Sequence, residues 1–187
     1  MKHLFPLLLS ALTAFVSPLQ DKAYKNDKAG WTMTIPAGWE RISENTVGVQ
    51  SGMPGMNAAN EGLLLLLVKG QGNYLMANLA TYKSSEMEWE VHQKEENQRY
   101  YNAFVSTVQL LHKQCKIDSS TRHETVGNIS FRVFETKAYT TGRKMVLDQL
   151  SYARLYSGNQ FNVTIAVVSD MDKKAILDAW KRSVFKN

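Results

Sequence analysis

One long amphipathic segment, residues 86–113, constrains the fold most, because strand-like patterns lie on both sides of it. It opens with Ser85-Glu-Met-Glu88, which has the spacing of a capping box. In that motif a hydroxyl and a carboxylate bond backbone N–H groups that would otherwise lack partners at the start of a helix. Apolar side chains then recur at helical spacing, at Tyr101, Phe104, Val105, Val108 and Leu111. We predict one helix over 86–113, whose polar first half, Glu88 to Arg99, projects into solvent.

The segment before this helix has the alternation and turn residues of short strands. Trp31 to Ile35 alternates and ends at a Pro-Ala-Gly turn, and a second strand is predicted to follow that turn. Leu63 to Val68 is continuously apolar, which is typical of a strand buried on both faces. Residues 51–57 are predicted to form a loop because they are rich in Gly and Pro. Further strands are predicted over 39–43, 46–50 and 74–82.

Strand periodicity returns after Cys115 and persists almost to the end of the chain. Turn residues at 142–143 and 157–159 separate the strands, which makes this region a meander of hairpins. A closing helix follows, capped by Asp170 or Asp172, with basic residues at its negative end. Its inner stripe is Ile176, Ala179, Trp180 and Ser183. The strands are predicted near 118–126, 129–140, 144–157 and 160–169.

This order of strands and helices predicts the α+β class. We expect an antiparallel sheet of about six to eight strands, flanked by one long and one C-terminal helix. The chain has 187 residues, of which 44% are apolar, and this suits a single domain. We predict a domain over 31–187, preceded by a polar linker over 21–30.

The amino terminus has the pattern of a cleavable signal peptide over residues 1–20. After Met1, Lys2 supplies a positive charge, the apolar stretch begins at Leu4, and Ala14 is a small residue near the predicted cut. Thirteen helical residues reach about 20 Å, which is too short for a hydrocarbon core of about 30 Å. We expect export to a periplasm or to the outside of the cell, without an integral span after cleavage; an uncleaved anchor or a buried helix is the alternative.

Two segments resemble the PsbP-like domain family. Gly30-Trp-Thr-Met-Thr-Ile-Pro-Ala-Gly-Trp39 is similar to the start of such domains, and Gln160-Phe-Asn-Val-Thr-Ile165, with the helix and Ser183-Val-Phe185 after it, is similar to their end. The resemblance implies an α/β/α sandwich. The family includes extrinsic photosynthetic proteins, protein-binding factors and exported bacterial proteins. It shares no catalytic residues, so none is carried over to this chain.

Charge and cysteine content exclude several classes of function. The net charge is +5, but no dense basic run interleaved with aromatics is present, so we expect no nucleic-acid partner. The single cysteine, Cys115, excludes an internal disulfide and a zinc site built from four cysteines. The basic residues are scattered near the two ends of the chain, at Lys22, Lys25, Lys28, Lys173, Lys174, Lys181, Arg182 and Lys186.

Three residues are the candidates for a metal or thiol site. His112 and Cys115 lie three residues apart at the predicted helix end, and His123 follows eight residues later; a soft metal binds thiolate and imidazole. The same residues suggest a nucleophile and its base, although an orienting third group is missing. The alternative is an ordinary helix end with a buried thiol. The thioethers of Met53 and Met56 suggest a copper(I) site in the loop over 51–57, and the alternative is that the two side chains only pack the loop against the domain.

Two further features suggest binding rather than catalysis. Asp148, Tyr152, Arg154 and Tyr156 share one face of a predicted strand and form either a polar groove or a half-solvated surface. Trp89, on the polar half of the long helix, is a candidate for a partner surface. The other tryptophans, Trp31, Trp39 and Trp180, are predicted core residues.

The sequence favours an exported, non-enzymatic binding or accessory module, with an envelope protein as the expected partner and no cofactor. The alternative is a secreted hydrolase or metal-binding protein that uses His112, Cys115 and His123. The sequence motifs of serine hydrolases and of phosphate-binding loops are missing from the chain.

Overall fold

The computed structural model describes residues 22–42, 62–83, 85–112, 114–156 and 158–186. The predicted signal peptide, the strand over 46–50 and the loop with Met53 and Met56 lie outside the described residues. The elements in chain order are β1 (Lys22–Asn26), β2 (Trp31–Ile35), β3 (Glu40–Arg41), β4 (Leu63–Lys69), β5 (Asn73–Thr81), α1 (Glu86–Leu111), β6 (Cys115–Val126), β7 (Ile129–Thr140), β8 (Met145–Tyr156), β9 (Asn159–Val167), α2 (Asp170–Lys181) and β10 (Val184–Phe185).

The strands form two antiparallel sheets, and the predicted fold class is confirmed. The larger sheet has seven strands in the order β3-β4-β5-β9-β8-β7-β6, and the smaller one has the order β1-β2-β10. The predicted meander appears as the consecutive hairpins β6–β7, β7–β8 and β8–β9. The chain therefore combines a seven-stranded sheet with one long and one C-terminal helix, as the sequence indicated.

One prediction about the first strands is wrong. Lys22–Asn26 is not a linker: it forms β1 beside β2, so the domain begins earlier than Trp31. Its inward residue, Tyr24, is buried and donates a 2.6 Å hydrogen bond to the carbonyl of Leu64. The two short strands predicted on either side of the Pro36 turn are present as β2 and β3. They do not pair with each other, because β1 and β10 occupy both edges of β2, and β3 pairs with β4.

The seven-stranded sheet separates two apolar layers, as the alternation of side chains requires. In β7, Phe131 and Val133 point to the main core under α2 and the small sheet, whereas Ala138 points to the opposite face. There α1 packs through Phe104 and Val108. The molecule therefore has three layers: α1, the large sheet, and α2 together with the small sheet.

Aromatic rings fill the centre of the main core. Trp31 is fully buried, with its ring 5.8 Å from that of Trp180 in an edge-to-face contact and stacked 6.5 Å from Phe185. Such contacts add to the stabilisation from buried area alone. Trp31, Trp39 and Trp180 are all core residues, as predicted.

The predicted N-terminal cap of α1 is confirmed, whereas the predicted cap of α2 is wrong. Ser85 and Glu88 form the predicted capping box: the Ser85 N–H donates to the Glu88 carboxylate at 2.8 Å, and the Glu88 N–H donates to Ser85 Oγ at 3.3 Å. Helix α2 is capped by Ser169, whose Oγ accepts from the Asp172 N–H at 3.1 Å, rather than by Asp170 or Asp172. Neither helix in the described ranges contains an apolar stretch of membrane-spanning length.

Candidate functional site

A polar cavity of about 260 Å³ lies at the end of the molecule where the β1–β2 turn, the end of β8 and the C-terminal strand meet. We call it the basic depression, after the lysines that line it. Its lining consists of Lys25, Asn26, Asp27, Lys28, Ala29, Gly30, Thr32, Tyr156 and Lys186.

The backbone around the basic depression is fixed by short-range hydrogen bonds. The side chain of Asn26 accepts from the N–H of Ala29 at 2.9 Å, which closes the β1–β2 turn. Gly30 takes a positive φ of 59°, where a side chain is disfavoured. The N–H of Lys186 donates to the carbonyl of Gly30 at 2.8 Å, so the C-terminal segment is joined to the turn.

Cations outnumber acids at the basic depression. Lys25, Lys28 and Lys186 lie on its rim with one carboxylate, Asp27, which pairs with Lys25 at 2.6 Å. The hydrogen bond and charge of Lys25 lower the pKa of Asp27, so this acid stays ionised near neutral pH. In the part of the chain that the structure describes, neither Lys28 nor Lys186 forms a close salt bridge, although the charge of Lys186 also acts on Asp27. The depression therefore has a net positive charge and suits an anionic group.

A narrow apolar slot opens beside the basic depression and shares Ala29 and Tyr156 with it. It has room for about one water molecule. The guanidinium of Arg154 lies 5.6 Å from the centre of the Tyr156 ring at the edge of the slot. Its other walls are core side chains, Leu79, Ile129, Phe131, Phe161 and Phe185.

A second polar arrangement, the buried ion cluster, lies under α2 and crosses three strands. Lys173 of α2 contacts Asp148 at 2.5 Å and Glu135 at 3.1 Å, and Glu135 is also bound by Lys137 at 2.7 Å. Glu135 and Asp148 are almost completely buried. The members of the cluster are Arg122, Glu124, Glu135, Lys137, Asp148, Tyr152 and Lys173.

The environment shifts the pKa values of the clustered acids in opposite directions. Burial acts to raise the pKa of Glu135, but the hydrogen bonds and charges of Lys137 and Lys173 outweigh it and bring the value to about 2. Burial raises the pKa of Asp148, and Lys173 offsets this only in part. Burial and the nearby Glu124 raise the pKa of Tyr152, so its phenol stays protonated and donates to Glu124 at 3.0 Å.

The buried ion cluster is suited to a structural role. Its acids face bases in close pairs, and none of its described acids opens onto the basic depression. Removing one member of such a pair leaves an uncompensated buried charge, which is strongly unfavourable. The cluster therefore joins α2 to β7 and β8 through buried ion pairs.

The four polar residues that share one face of β8 do not line a single groove, which was the first of the two interpretations of this face. Asp148 and Tyr152 are buried in the ion cluster, under α2. Arg154 and Tyr156, further along the same face, lie at the apolar slot. The shared face was predicted correctly, but α2 covers half of it, which single-strand periodicity does not show.

The predicted metal or thiol residues do not converge. His112 is the exposed C-cap of α1, and Cys115 begins β6, where it packs against the Phe104–Val108 cluster. His123 lies eight residues along that strand, about 26 Å from Cys115. Within the described ranges no three His, Cys, Asp or Glu side chains converge where a metal ion could bind. These three residues therefore cannot share one ion or act together on one substrate.

Trp89 is not a surface residue, and that prediction is wrong. Only 5% of it is exposed, and its indole N–H donates to the side chain of Gln160 at 3.0 Å. Glu90 in the same turn pairs with Arg132 of β7. One face of the polar half of α1, with Trp89 and Gln93, is buried against the sheet, whereas the opposite face is exposed as predicted.

Sequence reasoning missed the basic depression. In the sequence Lys25, Lys28 and Lys186 are only scattered basic residues, and the pattern of residues 21–30 predicts a linker. The pairing of β10 with β2 brings residue 186 next to residue 30. Local sequence motifs do not predict a pairing between segments so far apart in the chain. A weak signal was Tyr24, an aromatic residue within the charged segment.

Comparison with solved structures identifies the fold. The solution structure of cyanobacterial PsbP (CyanoP) from Synechocystis sp. PCC 6803 matches with a TM-score of 0.54 and 12% identity, covering 92% of this chain and 96% of that one. A Bacteroides thetaiotaomicron protein matches with a TM-score of 0.51 and 9% identity over 90% of this chain, which spans 50% of that structure.

LpqN of Mycobacterium tuberculosis, described as involved in cell envelope biogenesis, gives a TM-score of 0.45 with 12% identity, covering 90% of this chain and 91% of that one. No protein-family model matches the sequence. No curated protein matches it either. The resemblance inferred from the two end segments is confirmed at the level of the fold: the chain has a PsbP-like fold.

Proposed function

We propose that the chain is an exported, non-enzymatic binding module of the cell envelope, and that it holds its partner at the basic depression. The observation that carries this proposal is the depression itself, with three lysines and one already paired acid on a rim of fixed backbone. A concave site with a few fixed polar groups beside an apolar slot is typical of binding sites.

Two further observations support this function. The first is the amino-terminal pattern of a charge, a short apolar stretch and a small residue, which is typical of an exported chain. The second is the PsbP-like fold, shared with a cyanobacterial PsbP over nearly the whole of both chains. Fold likeness alone does not fix a function, so the binding site carries the argument.

Export is tested on the untagged full chain, expressed in a Gram-negative bacterium and detected with an antibody. We expect the protein in the periplasm or the medium, with a new amino terminus between Ala14 and Gln20 by mass spectrometry. A cytoplasmic protein that retains Met1 would overturn this part of the proposal.

Binding is tested by chemical cross-linking in the same cells. The double variant Lys28→Glu, Lys186→Glu reverses two exposed charges of the rim. We expect it to reduce the yield of any specific cross-linked product at least fivefold. The control is Lys144→Glu, at the β7–β8 turn on the opposite end of the sheet, which should keep the product within twofold. Equal yields from both variants would argue against the depression.

A further inference from the structure

We propose that the basic depression and the apolar slot together bind a small amphipathic anion, namely a carboxylate attached to a short apolar chain or ring. This inference rests on the proposed binding function and specifies its ligand. The two spaces form one site because Ala29 and Tyr156 line both of them.

The charge of the site selects the head group. Lys25, Lys28 and Lys186 surround the depression, and Arg154 adds a fourth cation at the edge of the slot. Asp27 is the one acid on this rim among the described residues, and Lys25 already compensates it. A carboxylate placed there gains charge-assisted hydrogen bonds, which are stronger than neutral ones.

The slot selects the rest of the ligand. Here the main core reaches the surface: Leu79, Ile129 and Phe185 keep 7–8% exposure, whereas residues deeper in the core, such as Val163, have none. An apolar chain that covers these side chains removes the remaining core surface from water, which is favourable in proportion to the area covered.

Arg154 and Tyr156 close the slot to about the width of a water molecule. In the described part of the chain neither side chain makes a hydrogen bond or an ion pair, and their mutual contact is a cation–π interaction, so no such bond holds either side chain against rotation. The Tyr156 ring then offers a flat face to an apolar ligand. The depression itself, at about 260 Å³, has the volume of roughly nine water molecules at about 30 Å³ each.

The test uses octanoate as the probe, below its micelle concentration, and the purified full chain followed by NMR and calorimetry. We expect shifts confined to the residues that line the depression and the slot, in the β1–β2 turn, the end of β5, the start of β7, the end of β8, the start of β9 and β10. Acetate, octanol and octyltrimethylammonium, which lack the chain or the negative charge, should bind at least tenfold more weakly. Lys28→Glu with Lys186→Glu should lower octanoate affinity at least fivefold, and Lys144→Glu less than twofold.

The outcomes separate this inference from the proposed function. Equal binding of octyltrimethylammonium, or no binding of any probe, overturns the amphipathic-anion site. If octanoate fails while the envelope cross-link still depends on Lys28 and Lys186, the module binds an acidic protein segment and only this inference falls. Binding to phosphatidylglycerol vesicles without binding to octanoate likewise overturns it in favour of a membrane surface.

Discussion

The ammonium group of Lys173 lies 2.5 Å from Oδ2 of Asp148, a carboxylate with only 1% exposure. This contact joins α2 to the middle of the large sheet, and a second one to Glu135 joins α2 to β7. Helix α2 carries Ile176 and Trp180 into the main core. The same helix is therefore held on the sheet by buried ion pairs and by apolar residues of the main core.

Replacing Glu135 by Gln tests the structural role of the buried ion cluster. The change leaves Arg122, Lys137 and Lys173 without their shared carboxylate, and we expect a loss of about 3 kcal/mol in the free energy of unfolding. Urea unfolding at pH 7 measures it. Glu95→Gln, an exposed change on α1, serves as the control and should stay within about 0.5 kcal/mol. Equal losses of unfolding free energy in the two variants would contradict a structural role for the cluster.

The pKa values of the buried ion cluster predict how the free energy of unfolding depends on pH. The pKa of Glu135 is lowered from 4.5 to about 2, so its contribution is fully present above pH 4.5 and is lost as the pH falls toward 2. The pKa of Asp148 is raised, so protonation of Asp148 acts in the opposite direction and offsets part of that loss. Urea midpoints of the wild type should fall between pH 4.5 and 2, with a smaller slope in Glu135→Gln. Identical slopes would contradict the shift at Glu135.

Gly62 and Gly70 offer a matched test of close packing at the edge of the sheet. Both have positive φ, so alanine at either position meets a backbone strain of about 1 kcal/mol. A Cβ at Gly62 would lie 2.0 Å from the carbonyl oxygen of Leu79, whereas one at Gly70 meets nothing within 4 Å. We expect Gly62→Ala to lower the unfolding free energy by about 2 kcal/mol more than Gly70→Ala, measured by urea unfolding. Equal losses would show that no such contact exists.

The capping box predicts a local effect at the start of α1. Ser85→Ala removes the hydroxyl that accepts from Glu88 N–H, and we expect a loss of about 1 kcal/mol. Ser106→Ala, on the exposed face of the same helix and far from its start, is the control and should change stability by less than about 0.5 kcal/mol. Thermal unfolding compares the two variants, and a larger loss at residue 106 would contradict the assignment of the cap.

The long, periodic elements could be predicted from the sequence. Short strands, and contacts between residues far apart in the chain, could not. Helix α1 and the meander β6–β9 carry their own signal, because their apolar residues repeat over nine or more positions. Strand β1 has five residues and one buried side chain, Tyr24, so its charged residues dominated the pattern. The prediction for Trp89 was wrong because a residue on the polar half of a helix can also be buried when polar partners, such as Gln160, lie opposite it.

The candidate site was harder to predict because it is assembled from distant segments. Lys28 lies in a turn, Tyr156 at the end of β8, and Lys186 beyond the last helix. They meet only because β10 pairs with β2 and the ends of several strands converge there. None of the three belongs to a local motif, so composition and spacing gave no reason to group them.

Lysine labelling in the presence of envelope extract is the most direct measurement of binding at the basic depression. The full chain is treated with an amine-acetylating reagent with and without the extract, and the modification of Lys28, Lys186 and Lys144 is compared by mass spectrometry. Binding at the depression predicts at least a threefold fall in modification at Lys28 and Lys186, with Lys144 unchanged. Unchanged modification at Lys28 and Lys186, or equal protection of all three lysines, would contradict it.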